Sequence, residues 1–534
     1  MMSRTVAVAS SEPSRLTRLL SVLAEWLEIN IITHDLCDGG SAHAEVVFCR
    51  TAGEVESALA RTARERLVLF RGKSGSQHGS AISFSRSPQL PPMLRGQQLE
   101  QQVEALLPEL CTGEILADFD GIPVWTTVRD NDRRTDFAAE ALPELQPWEL
   151  LFDHLHSMQW TGLIPLIAFL RRVAADQHWV SPPLRACIMF DDPNLHWPTY
   201  GFIDYAALAQ HAKTHAYHVA ISTIPLDAWF THSGAAKLFS ANAAHLSLLV
   251  HGNNHTRNEL ARSYANTTRQ GLVAQSLKRI ARMERISKLR IPKIMAAPHS
   301  ACTDGMAGEL LRQGYEAVCI SHNLLRCFNP TPAWPPSFGL QPAEFLSNGL
   351  PVLPRFPLSN KCIRPAILTA FLGQPMIAFG HHQDAADRLN LVAKISEGIN
   401  RIDGVEWCNL TYIARTNYKH RISGNTLQLQ MYSRHIQLTV PRDLETLQVD
   451  RPWLGPTDLA EPLEMRVNNK QWVQVKNGEI PRQSSSHEAL NLEIRSIWPQ
   501  SVDYRQIRSQ SPQVWAIVRR LLTEARDRCG GCGA

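Results

Sequence analysis

Four short apolar runs, each ending in polar residues, constrain this chain more than any other feature of its sequence. ACIMF leads into Asp191 and Asp192, LSLLV into His251, IPKIMAAP into His299, and MIAFG into His381 and His382. Runs of this length and content suit strands buried on both faces. Between them lie helical patterns such as YAALAQHAKTH and the stretch 267–289, where Val273, Leu277 and Ile280 recur at helical spacing. Strand, polar tip, helix, repeated, is the grammar of an α/β barrel with its chemistry at the strand C-termini.

The remaining chain is divided around that unit. At 534 residues it is too long for one core, since domains usually run to about 100–200 residues. Residues 1–145 alternate strand and helix patterns (VAVAS, a helix from Arg15 to Leu27, INIIT, EVVFCR, a helix from Thr51, RLVLF) and predict an α/β accessory domain. A hairpin is expected at Asp120-Gly121, and Gly72 and Gly75 belong to a plain loop with no nucleotide fingerprint. Residues 146–182 predict a helical connector, 183–420 the barrel, 421–500 an antiparallel, sandwich-like β module of period two, and 501–534 an amphipathic helix and tail.

Composition narrows the partners. Apolar residues make up 44% and charged residues 19%, which excludes a disordered chain, and a net charge of +4 is too mild to indicate nucleic acid or an anionic membrane as the default partner. The apolar segment LIPLIAFL is far short of the roughly 20 residues of a membrane span. The N-terminal residues show no signal-peptide pattern and the eleven cysteines are an odd count, so a cytoplasmic protein with reduced thiols is expected. Cys529 and Cys532 form a lone CxxC, read as an inert tail.

The chemistry lies at the strand tips. Adjacent carboxylates such as Asp191 and Asp192 repel each other and need a cation or a shared proton. His251 and His255 are four residues apart in HGNNHT; if the segment turns helical, both imidazoles share one face and chelate a single ion. With Asp192 they make a two-His, one-carboxylate set that leaves positions for water and substrate, as amide or ester hydrolysis requires.

In this order the motifs resemble the NodB-type polysaccharide deacetylase superfamily over residues 186–384, as a divergent member. The resemblance implies a distorted (β/α) barrel of about seven strands, Asp191 as general base, Asp192, His251 and His255 as ligands of zinc or another divalent ion, and His381 or His382 as general acid. It also implies removal of an acetyl or similar acyl group from an amino sugar or glycoconjugate, with metal-bound water as nucleophile. Pro193-Asn194 replaces the usual Gly after the Asp pair, and MAAPHS lacks the Arg that orients the base, for which Arg355 in LPRFP, on another loop, is a candidate replacement. His299, Arg355, Trp197 and Asn194 are the candidate substrate contacts, and His196, Trp197 and Tyr200 a candidate aromatic wall. The basic series from Lys278 to Arg290 is read as a solvated helix face. The rival readings are a non-catalytic carbohydrate-binding or scaffold protein, and a non-haem iron oxygenase, which usually places His and carboxylate, not two His, close in sequence.

Overall fold

The computed structural model describes residues 5–10, 13–34, 43–71, 81–100, 107, 111–139, 142–157, 162–174, 179–331, 334–455, 461–475, 478–480, 489–511 and 513–531. It is a mixed α/β structure with several sheets, in two compact units: Met1–Trp179 with Pro335–Leu340 and Arg401–Asp403, and Val180–Trp334 with Gln341–Asn400 and Gly404–Ala534. Gly72, Gly75 and Cys532 lie outside the described residues. Among those residues no helix is long and apolar enough to cross a membrane.

In the first unit the apolar runs form parallel strands in the order Asn30–His34, Thr5–Ala9, Ala44–Cys49, Glu65–Phe70. Helix Ala52–Leu59 starts where expected because Thr51 and Glu54 cap each other reciprocally. Asp120 (φ 50°) and Gly121 (φ 83°) join Glu114–Phe119 to Ile122–Asp130, the two left-handed residues that match hairpin twist. The connector segment up to Trp179 belongs to this unit.

In the second unit, parallel strands follow one another in the order Leu350–Pro354, Ala317–Ile320, Ile294–Ala296, Leu246–His251, Val219–Thr223, Leu184–Asp191 and Met376–Gly380. Phe356–Pro357 then pairs with Met376–Gly380, and only Arg355 separates it from Leu350–Pro354. One side-chain set from these strands forms a single buried cluster: Cys187 and Met189, Ala220, Leu249, Ile294 and Ala296, Cys319, Leu353 and Ile377. Strand side chains alternate in direction with period two, so extending these rows leads to Asp191, Ser222, His251, Arg355 and His381. The apolar interior thus carries its own polar end.

Beyond residue 417, Tyr418–Ser423, Thr426–Met431 and Thr446–Asp450 form one sheet, and His435–Pro441, Ala489–Ser496, Leu463–Val467 and Val473–Gln474 another, with Leu429, Met431, Leu438 and Leu492 in a shared core. Pairing is not wholly antiparallel: Thr426–Met431 runs parallel to Thr446–Asp450, because the chain crosses to the other sheet between them. The last helix, Val514–Gly531, buries Ala516, Arg520, Glu524 and Asp527 and exposes most of its apolar residues.

Candidate active site

Asp191 is the last residue of strand Leu184–Asp191, and Asp192 turns at φ 84°, so two neighbours that would diverge on a regular strand both reach the cleft. Asp192 Oδ1 lies 3.1 Å from His255 Nε2 and 3.5 Å from His251 Nε2, and among the described residues these three form the one His/Cys/Asp/Glu group spaced to hold a metal. Ligands about 2.0–2.1 Å from a tetrahedral zinc sit roughly 3.3 Å from each other, and the two distances from Asp192 to the histidines fall on either side of that value. His251 Nδ1 donates to the Ala296 carbonyl at 2.9 Å, which fixes the tautomer and leaves the Nε2 lone pair for a cation. Buried Oδ1 atoms of both Asp191 and Asp192 accept no hydrogen bond among the described residues, an arrangement costly unless a cation or a proton comes to them. The residues therefore fit a divalent ion.

The protonation states agree. Burial works against the Asp192 carboxylate, but His255 and His251 outweigh it and hold its pKa down to about 2. Burial pushes His255 down to about 3 despite the opposing pull of Asp192. At neutral pH this gives an ionised carboxylate beside a neutral imidazole, the ligating forms of both.

The two histidines do not meet on a helix, as the spacing suggested. Residues 252–258 form a loop with left-handed Gly252 (φ 63°) and His255 (φ 54°). A Cβ on Gly252 would lie 2.6 Å from Pro298 Cγ and 2.7 Å from Glu259 Oε2, so the close approach itself demands glycine. Glu259 is buried and accepts the backbone N–H of Asn253 (2.8 Å), Asn254 (2.9 Å) and His255 (3.2 Å), and Arg279 donates to the side chains of Asn253 and Asn254. Arg279 and Lys278, which donates to the Ile507 carbonyl, therefore brace loops and do not belong to a solvated basic face.

Arg355 is only 3% exposed and donates to Asp191 Oδ2 at 2.8 Å, to Ser300 Oγ and to the Ala297 carbonyl. Burial alone would raise the Asp191 carboxyl, but Arg355, followed by His251, holds it below the ordinary carboxylate range. Arg355 thus positions the Asp191 carboxylate and is closed off from a substrate contact by its burial.

The paired histidines separate. Phe190 is in register with Gly380, so one residue on, His381 stands beside Asp191 and continues the inward row of Ile377 and Phe379. His381 is exposed; His382 is buried, stacked on Phe202 at 5.7 Å and 3.5 Å from Asp527, with its pKa lowered chiefly by burial. His299 is exposed at φ 58°, its ring 5.3 Å from that of His255. Asn194 does not face the cleft, because its amide donates to Asp227 and Glu524. The aromatic wall is not formed: His196 is buried against Glu524 and the Asp227 carbonyl, Tyr200 is buried and donates to Asp527, and Trp197 alone is exposed.

Those partners reveal a contribution the motifs do not signal. Helix Val514–Gly531 lies across the strand tips, where Arg520 donates to the Asp192 carbonyl (2.8 Å), Asp227 (2.8 Å) and Tyr200 (3.1 Å), and Arg519 to the His255 carbonyl. The backbone of two candidate metal ligands is thereby tied to a helix more than 250 residues away in sequence.

No family model matches the chain, and no curated protein matches it. Among solved structures it is similar to Agd3, described as a novel carbohydrate deacetylase, at 9% identity over 92% of this chain and 99% of that one, with a TM-score of 0.48. It is similar to the peptidoglycan deacetylase PdaC from Bacillus subtilis at 12% identity (44% of this chain, 91% of that one, TM-score 0.26). It is also similar to a family 4 acetyl xylan esterase from Clostridium thermocellum in complex with a cobalt ion, at 11% identity (43% and 89%, TM-score 0.26).

Proposed function

We propose that this protein is a metal-dependent N-deacetylase that removes an acetyl or similar acyl group from an amino sugar or glycoconjugate. The observation that carries the reading is the convergence of Asp192, His251 and His255 beside an ionised Asp191 whose second carboxylate oxygen accepts no hydrogen bond among the described residues. The sugar substrate rests on the motif order, and the surrounding architecture is read as a distorted (β/α) barrel of about seven strands over residues 183–420. Domain limits of 1–145, 146–182, 421–500 and 501–534 belong to the same proposal.

Asp192 Oδ1, His251 Nε2 and His255 Nε2 would hold zinc or another divalent ion. Such a cation, when bound, acidifies water and stabilises the negative charge that develops on the acyl oxygen. Asp191 Oδ1 takes the proton of the attacking water, since Oδ2 is already committed to Arg355. His381, exposed on the same inward row, delivers a proton to the departing amine, without which an amine is a very poor leaving group. A scaffold would gain nothing from two buried carboxylate oxygens that accept no hydrogen bond among the described residues, so the site favours catalysis over a non-catalytic role.

The test is acetate release from a panel of N-acetylated sugars and oligosaccharides by zinc-loaded protein, compared with chelator-treated protein. Turnover of at least one substrate, lost on chelation, is expected. In the same assay His381→Ala loses activity by about 10²–10⁴-fold, whereas His382→Ala, removing a buried ring stacked on Phe202, changes it far less. The reverse order would move the acid to His382, and zinc-loaded protein inert on the whole panel would overturn the reading.

A further inference from the structure

Asp192 and His255, two of the three candidate metal ligands, share a backbone conformation that L side chains rarely adopt, with φ 84° at Asp192 and 54° at His255. Such residues cost free energy and persist only where their surroundings hold them. Asp192 bears a further constraint, because Pro193 pushes the residue before it toward extended backbone. His251, by contrast, ends the regular strand Leu246–His251.

In both strained ligands the peptide groups on either side of the Cα are held. The Asp192 N–H donates to the Ser222 carbonyl at 3.2 Å, and the Asp192 carbonyl accepts Arg520 Nη2 at 2.8 Å. The His255 N–H donates to Glu259 Oε2 at 3.2 Å, and the His255 carbonyl accepts Arg519 Nη2. Since each peptide is planar, holding both fixes φ and ψ, and with them the direction of the side chain. We propose that Arg519 and Arg520 are positioning residues that clamp these two ligands, so that helix Val514–Gly531 sets the affinity of the site for its cation. The inference rests on reading Asp192, His251 and His255 as cation ligands.

Successive residues leave a helix about 100° apart, which lets one helix reach two separate turns. Arg520 is itself anchored: it is buried, and its Nε and Nη1 donate to Asp227 Oδ2 (2.8 Å) and Tyr200 Oη (3.1 Å). The helix is also seated by contacts outside the clamp, since Glu524 meets His196 and Asp527 accepts the Tyr200 hydroxyl. Loss of the Arg519 contact should therefore loosen a ligand and leave the helix in place. Charge alone predicts the opposite sign, because removing a guanidinium beside the site relieves repulsion and would tighten the binding of a cation.

Zinc affinity of the full chain, measured by competition with a chromophoric chelator, tests the clamp without any substrate. Arg519→Met should weaken zinc binding by about 10–100-fold, the usual cost of losing a group that orients a ligand. Arg519→Lys keeps a donor for the His255 carbonyl and should stay close to wild type. Arg520→Lys should weaken binding, because an ammonium cannot reproduce the planar fork that joins Asp192, Asp227 and Tyr200. Circular dichroism and urea unfolding identify variants that keep the fold, and the Arg519 pair decides the matter if Arg520→Lys unfolds. A folded Arg519→Met protein that binds zinc as tightly as wild type, or more tightly, would overturn the clamp, as would an Arg519→Lys protein as weak as Arg519→Met. Wild-type protein that binds no zinc would instead overturn the metal reading beneath it.

Discussion

Replacing Asp191 with Asn is expected to lower acetate release by about 10³-fold while leaving metal content unchanged. The amide keeps the shape of the carboxylate but cannot take a proton, and Asp191 is not among the three side chains spaced to hold the cation. Its Oδ2 receives the Arg355 guanidinium and its Oδ1 accepts no hydrogen bond among the described residues, a division that suits the proposed roles of anchor and base. Equilibrium metal analysis alongside kcat checks this. A variant that loses metal and activity together would mean that Asp191 is a ligand, and one that keeps full activity would remove it from the proton transfer.

Replacing Arg355 with Met acts on the same carboxylate from the other side. It leaves Asp191 buried without its counter-charge, a loss that typically costs about 3–5 kcal/mol. Both stability and activity should fall. The sign of the pH effect follows from the electrostatics: with Arg355 present the carboxyl sits below the ordinary range, so its contribution to stability exists above that range and is lost as pH falls through the depressed value. Without Arg355, burial pushes the carboxyl upward, and the acidic limb of the pH–rate profile moves to higher pH. The double variant Asp191→Asn/Arg355→Met removes both charges and should regain much of the lost stability but none of the activity. Urea unfolding and pH–rate profiles of the three proteins distinguish these outcomes.

Much of the site was legible in the sequence because a strand has a strict period. Reading every second residue from Cys187 and Met189 gives Asp191, from Leu249 gives His251, from Leu353 gives Arg355, and from Ile377 and Phe379 gives His381. That count also separates His381 from His382, which the pattern of a doubled histidine had left open. The i, i+4 spacing predicts that His251 and His255 share one face of a helix, whereas a loop brings them together. Their meeting depends on Gly252 and on a buried Glu259 gathering three successive backbone N–H groups, and an acid four residues past a histidine carries no signature of that task.

Residues outside any repeating pattern were harder to place. Asn194 as a candidate substrate contact, and His196 and Tyr200 as parts of a candidate aromatic wall, follow the Asp pair closely, yet Glu524 and Asp527 of the last helix claim them. That helix defeats local reading for a physical reason: amphipathicity predicts its apolar stripe inward, while ion pairs and hydrogen bonds from Arg520 to Asp227 and the Asp192 carbonyl turn the polar stripe inward instead. The mixed pairing of the C-terminal module is likewise invisible to period-two patterning, which fixes the buried face of a strand and not the direction of its neighbour.

Whether one cation is gripped by side chains from two strand tips is tested most directly by a crystal of the zinc-loaded protein measured at the zinc absorption edge. A single anomalous peak is expected about 2.0–2.2 Å from Asp192 Oδ1, His251 Nε2 and His255 Nε2. Zinc bound elsewhere with those three atoms empty, or no zinc taken up at all, would contradict it.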